Sequence, residues 1–514
     1  MMNRRKFLKT MSAASASVFI PSSLNLTSLY KHANAAVDYA GATIAPPAVM
    51  PQVINIFLYG GPSELAGNLT NIVDIDANSQ NSYAAAFPGI TTLTTDAVDP
   101  GLITPNGFWQ GAGGDEMEFL VNPGAGTNPY MTVYRTLMKR KDGTRSHRES
   151  ILMSLKGSLD IETSAGVGTR MAALLYQNNA AYTGVPLADG TSISGVENLL
   201  LPFVSFESDS RIYAPDPDFT IPLLLRGTTL DDDFDNPFTR NNNGSAATMD
   251  ALVNKVTTAA EQARYAGVID AFALREFLET KIASLDTANN AALPALTDAN
   301  DIAANGGNAA FEYPQNSRFA DTVKAAVTLA VENPSTMFLS LGGALGGWDD
   351  HNNGVDRYPG RMTTVMQTLQ AAMWHIKSSS IAGLTPGGNP RTTTDNIIIN
   401  VFGDFGRRVN LNGSQGWDHG NNQNLFTLGG AGVVSAGNGG ATRTLGKVVG
   451  TTVRVGDSGT NNQFTNPAPG SYEFEPMSVA ASVYSYMGVQ NPQVVTADPE
   501  MNPTGDPAIN ETAT

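Results

Sequence analysis

The sequence predicts an α/β protein: a mostly parallel central sheet flanked by helices, with an inserted polar and helical accessory region. Three observations carry this. Short apolar runs ending in glycine-rich loops recur along the chain, amphipathic helical patterns lie between them, and residues 195–315 break the alternation. At 514 residues the length suggests roughly two to four domains, or one large sheet with insertions.

The first 36 residues read as a removable leader. NRRKFLKT (3–10) sets Arg4 and Arg5 before Phe7, Leu8 and Lys9, a weakly apolar Ser/Ala-rich stretch follows, and Ala33-Asn34-Ala35 offers a cleavage site. The paired arginines mark it as a twin-arginine signal, which implies a periplasmic or secreted protein. The chain has no cysteine, which suits export after folding in the cytoplasm. No later run of about 18 apolar residues exists, so no membrane span is expected in the mature protein.

After a Pro/Ala-rich lead-in (37–52), QVINIFLYGGPS (52–63) reads as a buried parallel strand feeding a tight turn. NPYMTVYRTLMKRK (128–141) puts Tyr130, Val133, Leu137 and Met138 on one side and predicts a helix. ESILMSLKGS (149–158), after GTRSHR, shares the strand grammar, although helix and strand both remain open there. The first part of the α/β domain is thus expected over 50–194.

Residues 195–315 are expected as an insertion or cap, with a polar stretch (230–247), a long helical stretch (248–288) and an Ala/Asn/Gly-rich loop (288–310). Asp231, Asp232, Asp233 and Asp235 lack the glycine and terminal glutamate of an EF-hand loop, which favours a solvated turn over a calcium site.

The second part of the domain is expected over 316–490. RFADTVKAAVTLAVE (318–332) predicts an amphipathic helix, and STMFLSLGGALGGWDDHNN (335–353) a strand running into a glycine-rich loop. RMTTVMQTLQAAMWHIKSSS (361–380) carries Met362, Val365, Met366, Leu369, Met373 and Ile376 at helical spacing, read as core, with His375 a structural or surface histidine. DNIIINVFGDFGRR (395–408) repeats the strand-and-loop grammar, residues 471–489 close the domain with a loop and helix, and 491–514 form a tail.

Charge is sparse and net −16, with no Lys/Arg-rich run to neutralise phosphates, which excludes a nucleic-acid partner. Small anionic substrates stay open, because a local cationic or metal site overrides the global field. Without cysteine, any metal must be held by His, Asp, Glu or hydroxyl oxygen.

The chain has five histidines, and His147, His351 and His419 stand beside acids or arginines in glycine-punctuated stretches at strand ends. Ligands gather beyond the carboxyl ends of strands in open α/β sheets. Asp349, His351, Asp404, Asp418 and His419 are therefore the candidate metal ligands, with zinc, manganese, magnesium, calcium or no metal all open. Arg145, Arg407 and Arg408 offer forked donors to an oxyanion, and Ser146 or Thr144 offers a hydroxyl nucleophile.

The leader, INIFLYGG (54–61), RSHRES (145–150), GGWDDH (346–351), NVFGDFGRRV (400–409), GWDHG (416–420) and LGKVVG (445–450) come in the order seen in domain-of-unknown-function family 1501. The chain resembles that family of exported bacterial proteins, and through it the alkaline phosphatase and sulfatase superfamily. The resemblance implies an alkaline phosphatase-like fold and one or two divalent metals at the strand ends. It implies attack on a phosphate or sulfate ester by a hydroxyl such as Ser146, with His147 beside it and Arg407 clamping the oxyanion. The chain departs from the pattern at Ser63, where many members carry an acidic ligand. It departs again at Phe405, where the superfamily usually has histidine, so a single-metal or degenerate site is implied. The substrate would be a small anionic ester or polymer. The rival expectation is a non-catalytic exported binding protein that retains the hydrolase fold.

Overall fold

The computed structural model describes residues 41–69, 103–207, 210–221, 224–226, 258–264, 266–342, 347–379, 395–456 and 463–514. The expected leader and the acidic stretch around Asp231–Asp235 lie outside these residues.

Eight strands form the central sheet: β1 (Gln52–Leu58), β2 (Met131–Met138), β3 (Phe203–Ser205), β4 (Leu225–Arg226), β5 (Phe338–Gly342), β6 (Ile397–Gly403), β7 (Asn422–Gly429) and β8 (Val448–Val449). Their order is β8-β2-β7-β6-β1-β5-β3-β4. β7 runs antiparallel to both neighbours, and every other pair is parallel, so the expected mostly parallel sheet is present. The strands β3 and β4 come from within the stretch expected as an insertion.

β1 is buried along its whole length because both sheet faces are covered. Ile54, Ile56 and Leu58 point into a core shared with α1 (Gly114–Val121), α4 (Ala266–Asn289), α5 (Arg318–Glu332) and α6 (Gly354–Ser378). Val53 and Phe57 point the other way, toward α2 (His147–Lys156), α3 (Val167–Gln177) and α7 (Pro476–Tyr486). The result is a three-layer sandwich.

The expected helix at 318–332 forms over that span, capped by the Ser317 side chain on Ala320 N, and the Met-rich stripe of α6 is core. One expectation is corrected and one open reading is decided. Residues 128–141 hold strand β2: Met131 and Val133 face one core while Tyr134 and Leu137 face the other. The register shift between Tyr134 and Leu137 blurs the period of two into a helix-like spacing. Residues 149–158 belong to helix α2, which starts after Ser146 and ends at Gly157, whose φ of 59° is left-handed.

His375 is buried in α6, with Tyr313 Oη 3.2 Å from its Nδ1. Burial, reinforced by the Lys324 charge, holds its pKa down at about 4, against 6.5 when exposed. Between those values the unfolded chain binds the proton and the folded chain does not, so stability falls as pH drops from 6.5 toward 4. The full effect is roughly 3 kcal/mol. A His375→Gln variant is expected to flatten that acid limb in urea titrations between pH 7 and 4; an unchanged slope would remove His375 as its cause.

Candidate functional site

The carboxyl ends of the adjacent strands β6, β1 and β5 meet at one edge of the sheet. β1 turns at Gly60 (φ 108°) and Gly61 (φ 68°). A Cβ on Gly60 would lie 2.6 Å from Asp349 N, and one on Gly61 2.6 Å from Phe405 O. Glycine thus lets the loops after β5 and β6 close onto the β1 turn.

Arg407 ties these loops together from inside. Its Nε donates to Gly61 O (2.7 Å) and its Nη1 to Trp417 O (3.0 Å). Its Nη2 donates to Trp348 O (2.9 Å), to Asp349 Oδ1 (2.8 Å) and to Gly60 O. The side chain is fully buried. Here the expected oxyanion clamp is a strut, because its donors are spent on protein oxygens. A short antiparallel bridge from Arg407 to His419, with Arg408 N donating to Asp418 O (2.7 Å), brings the Asp418-His419 pair beside Asp349.

Three imidazoles then converge on one carboxylate oxygen. His147 Nε2 and His351 Nε2 each lie 3.2 Å from Asp349 Oδ1, and His419 Nε2 lies 3.5 Å away. His351 Nε2 and His419 Nε2 are 2.8 Å apart. Every Nδ1 faces an oxygen on the far side: His147 faces Asp404 Oδ2 (2.5 Å), His351 faces Asp418 Oδ1 (3.0 Å), and His419 faces Arg145 O (2.7 Å). A backbone carbonyl can only accept, and an ionised carboxylate likewise. Each neutral ring therefore carries its proton on Nδ1 and turns its Nε2 lone pair inward. Among the described residues, His147 Nε2 is buried without a hydrogen-bond partner.

The electrostatics agree with this. Burial pushes the Asp349 carboxyl up, but Arg407, His147 and His351 outweigh it and hold it at about 2. Burial, with the charges of Arg407 and His147, lowers His419 to about 4. The hydrogen bond to Asp404 raises His147. Asp349 is half exposed, so the cluster opens to solvent.

Asp404 and Asp418, expected as metal ligands, stand one bond further out. Asp404 is fully buried, holding His147 through one oxygen and Gly60 N (3.1 Å) through the other, and Asp418 holds His351. Ser146 caps the N-terminal end of α2, next to His147. Its hydroxyl makes no hydrogen bond to the described residues, whereas the Thr144 hydroxyl is bonded to Glu149. Phe405 floors the cluster, its ring centroid 4.7 Å from that of His147 and 4.5 Å from that of His419.

Two residues support the site: Lys139, which no sequence motif marks, and Glu64, which ends the polar loop after the first strand. Lys139 is buried on β2, where it donates to Thr144 O (2.6 Å), and burial lowers it to about 8. Glu64 is buried and accepts from Arg407 N (3.2 Å) and Thr465 Oγ1 (2.8 Å), and burial raises it to about 7. Glu64 sits beside the departure at Ser63, but nothing in its spacing marks its role as a support for Arg407.

Residues 227–458 match the model of a family described as a protein of unknown function, DUF1501. The match supports that family for this chain. The DUF1501 stretch contains Asp349, His351, Asp404, Arg407, Asp418 and His419, while Ser146 and His147 lie before it. No curated protein matches the chain.

Proposed function

We propose that this chain is an exported, metal-dependent hydrolase of phosphate or sulfate esters on an alkaline phosphatase-like fold. The observation that carries the reading is the 2.8 Å approach of His351 Nε2 to His419 Nε2 over Asp349 Oδ1. Two inward lone pairs at that distance repel unless a cation lies between them. Burial and the neighbouring charges of Arg407 and His147 hold His419 down at about 4, so this ring offers its Nε2 as an acceptor or ligand and not as a proton carrier.

The residues fit such an ion. Asp349, His147 and His419, whose ligand atoms lie within 4.8 Å of one another, would hold it, with His351 at the edge of the group. His147 supplies a nitrogen from α2 that the chain lacks at Phe405. Imidazole nitrogens with one carboxylate favour zinc or manganese over magnesium and calcium, which prefer oxygen ligands. Bound there, a divalent metal would polarise an ester oxygen and lower the pKa of a nearby hydroxyl.

The chain's own residues do the rest. Asp404, Asp418 and the Arg145 carbonyl hold each ring in the inward tautomer. Arg407 fixes Asp349. Ser146, with its hydroxyl unspent, is the nucleophile of choice over Thr144. The twin-arginine motif at Arg4 and Arg5 supports periplasmic or secreted localisation. The rival reading, an exported binding protein, has Phe405 in its favour.

The test is to chelate the purified protein and titrate zinc, manganese, magnesium and calcium while following the melting temperature. Chromogenic phosphate and sulfate esters then follow with the preferred metal. Zinc or manganese is expected to raise the melting temperature, since a ligand stabilises the state that binds it. No shift with any metal would overturn the metal reading. A shift without turnover of any ester would favour the binding protein.

A further inference from the structure

Three consecutive residues at the start of α2 serve the histidine cluster. Arg145 lends its carbonyl to His419 Nδ1, Ser146 caps the helix, and His147 turns its Nε2 toward Asp349. Local hydrogen bonds shape the turn that carries them. Asp142 Oδ1 accepts from Thr144 N (2.8 Å), and Thr144 Oγ1 accepts from Ser146 N (3.2 Å). Both bonds act within the turn, so neither fixes where the turn sits against the sheet.

Lys139 supplies that anchor. It follows directly on β2, which runs parallel to β6 because β7 is antiparallel to both, so it stands at the same edge as the cluster. Its backbone N donates to Asn421 O (3.2 Å), two residues beyond His419. Its Nζ donates to Thr144 O (2.6 Å) and to Ser150 Oγ. Thr144 stands just before Arg145, and Ser150 lies in the first turn of α2, so one ammonium closes around the segment that holds Arg145, Ser146 and His147. Nζ also lies 5.8 Å from the centroid of Phe405, the ring that floors His147 and His419.

The placement of this charge is costly. Lys139 is 1% exposed. Its hydrogen bonds go to a carbonyl and a hydroxyl, while the carboxylates of Asp142, Asp404, Glu475 and Glu149 act on it through space. Burial therefore outweighs them and lowers its pKa to about 8. An apolar side chain of similar volume would avoid that desolvation. It would lose the two directed donors, and these act on nothing but the start of α2.

We propose that Lys139 is a positioning residue of the site, whose ammonium clasps Thr144 and Ser150 and so sets two inward imidazoles: His147 through α2, and His419 through the Arg145 carbonyl. His351 takes its hold from Asp418 and not from this segment. The purpose of the clasp rests on the proposed metal reading, but ring geometry and metal affinity are measured separately.

The experiment labels the histidine rings with 15N and records their nitrogen resonances in zinc-free wild type, Lys139→Met and Ser150→Ala. Zinc affinity is then measured on each. Wild-type His147, His351 and His419 are each expected to show one tautomer, protonated at Nδ1. In Lys139→Met the Nδ1 and Nε2 signals of His147 and His419 should draw together as both tautomers populate, while those of His351 stay. Zinc affinity should fall about 10–100-fold, as for other residues that orient ligands. Ser150→Ala keeps one anchor and is expected to move the same two rings by less; it carries the comparison should Lys139→Met fail to fold. Unchanged signals at His147 and His419, or an equal change at His351, overturns the clasp. A wild type that binds no zinc overturns the metal reading alone, because the zinc-free spectra still read the clasp.

Discussion

Replacing Arg407 with methionine is expected to cost most of the protein's stability. The guanidinium is fully buried and holds the carbonyls of Gly60, Gly61, Trp348 and Trp417 together with Asp349 Oδ1. Methionine roughly fills the volume but donates nothing. Each buried acceptor left bare costs about 1–3 kcal/mol, while the contact to half-exposed Asp349 adds only about 1 kcal/mol. Folded domains have about 5–15 kcal/mol to lose. Arg407→Lys is expected to recover little, since one ammonium cannot reach oxygens spread over three loops. Urea unfolding of the metal-free protein checks this. A variant with wild-type stability that had lost only anion affinity would restore Arg407 to the clamp role expected from its motif.

The same residue shows which parts of this protein are legible in sequence. Strand β1 and helix α5 could be read directly, because QVINIFL is apolar throughout and RFADTVKAAVTLAVE keeps one apolar face. β2 was misread because it crosses two cores with an irregular register, so its apolar residues fall at helix-like intervals. The site residues were legible as a set, since His and Asp cluster in glycine-rich strand-end loops of a chain poor in histidine. Their roles were not. Whether an arginine faces solvent or carbonyls depends on how three loops fold over it, and no local pattern encodes that. The order of contacts around each imidazole is hidden in the same way. Asp404 precedes Phe405 in sequence, yet its oxygen goes to His147, 257 residues away in the chain. The motif therefore named residues that the fold brings together, and left the order of contacts among them to tertiary structure.

That division makes the largest expected effect on metal binding differ in kind between two positions. His419→Ala removes an inward nitrogen and little packing, so metal affinity is expected to fall by at least about 100-fold, beyond the 10–100-fold typical of supporting residues. Its melting temperature should drop relative to wild type mainly when metal is present. Asp404→Asn acts otherwise. The carboxylate now accepts from His147 Nδ1 with one oxygen and from Gly60 N with the other. An amide has one oxygen for these two donors, and its NH2 would face whichever donor is left. If the oxygen stays with Gly60, His147 must move its proton to Nε2, and its inward lone pair is lost. Metal affinity is then expected to fall about 10–100-fold. Stability should fall with or without chelator as well, because the mismatched contact is buried. Melting curves of both variants across a zinc titration, with and without chelator, separate the cases. Equal destabilisation of His419→Ala in both buffers would make His419 a structural histidine. An Asp404→Asn variant that binds zinc as wild type does would show that the tautomer of His147 is set by something other than Asp404.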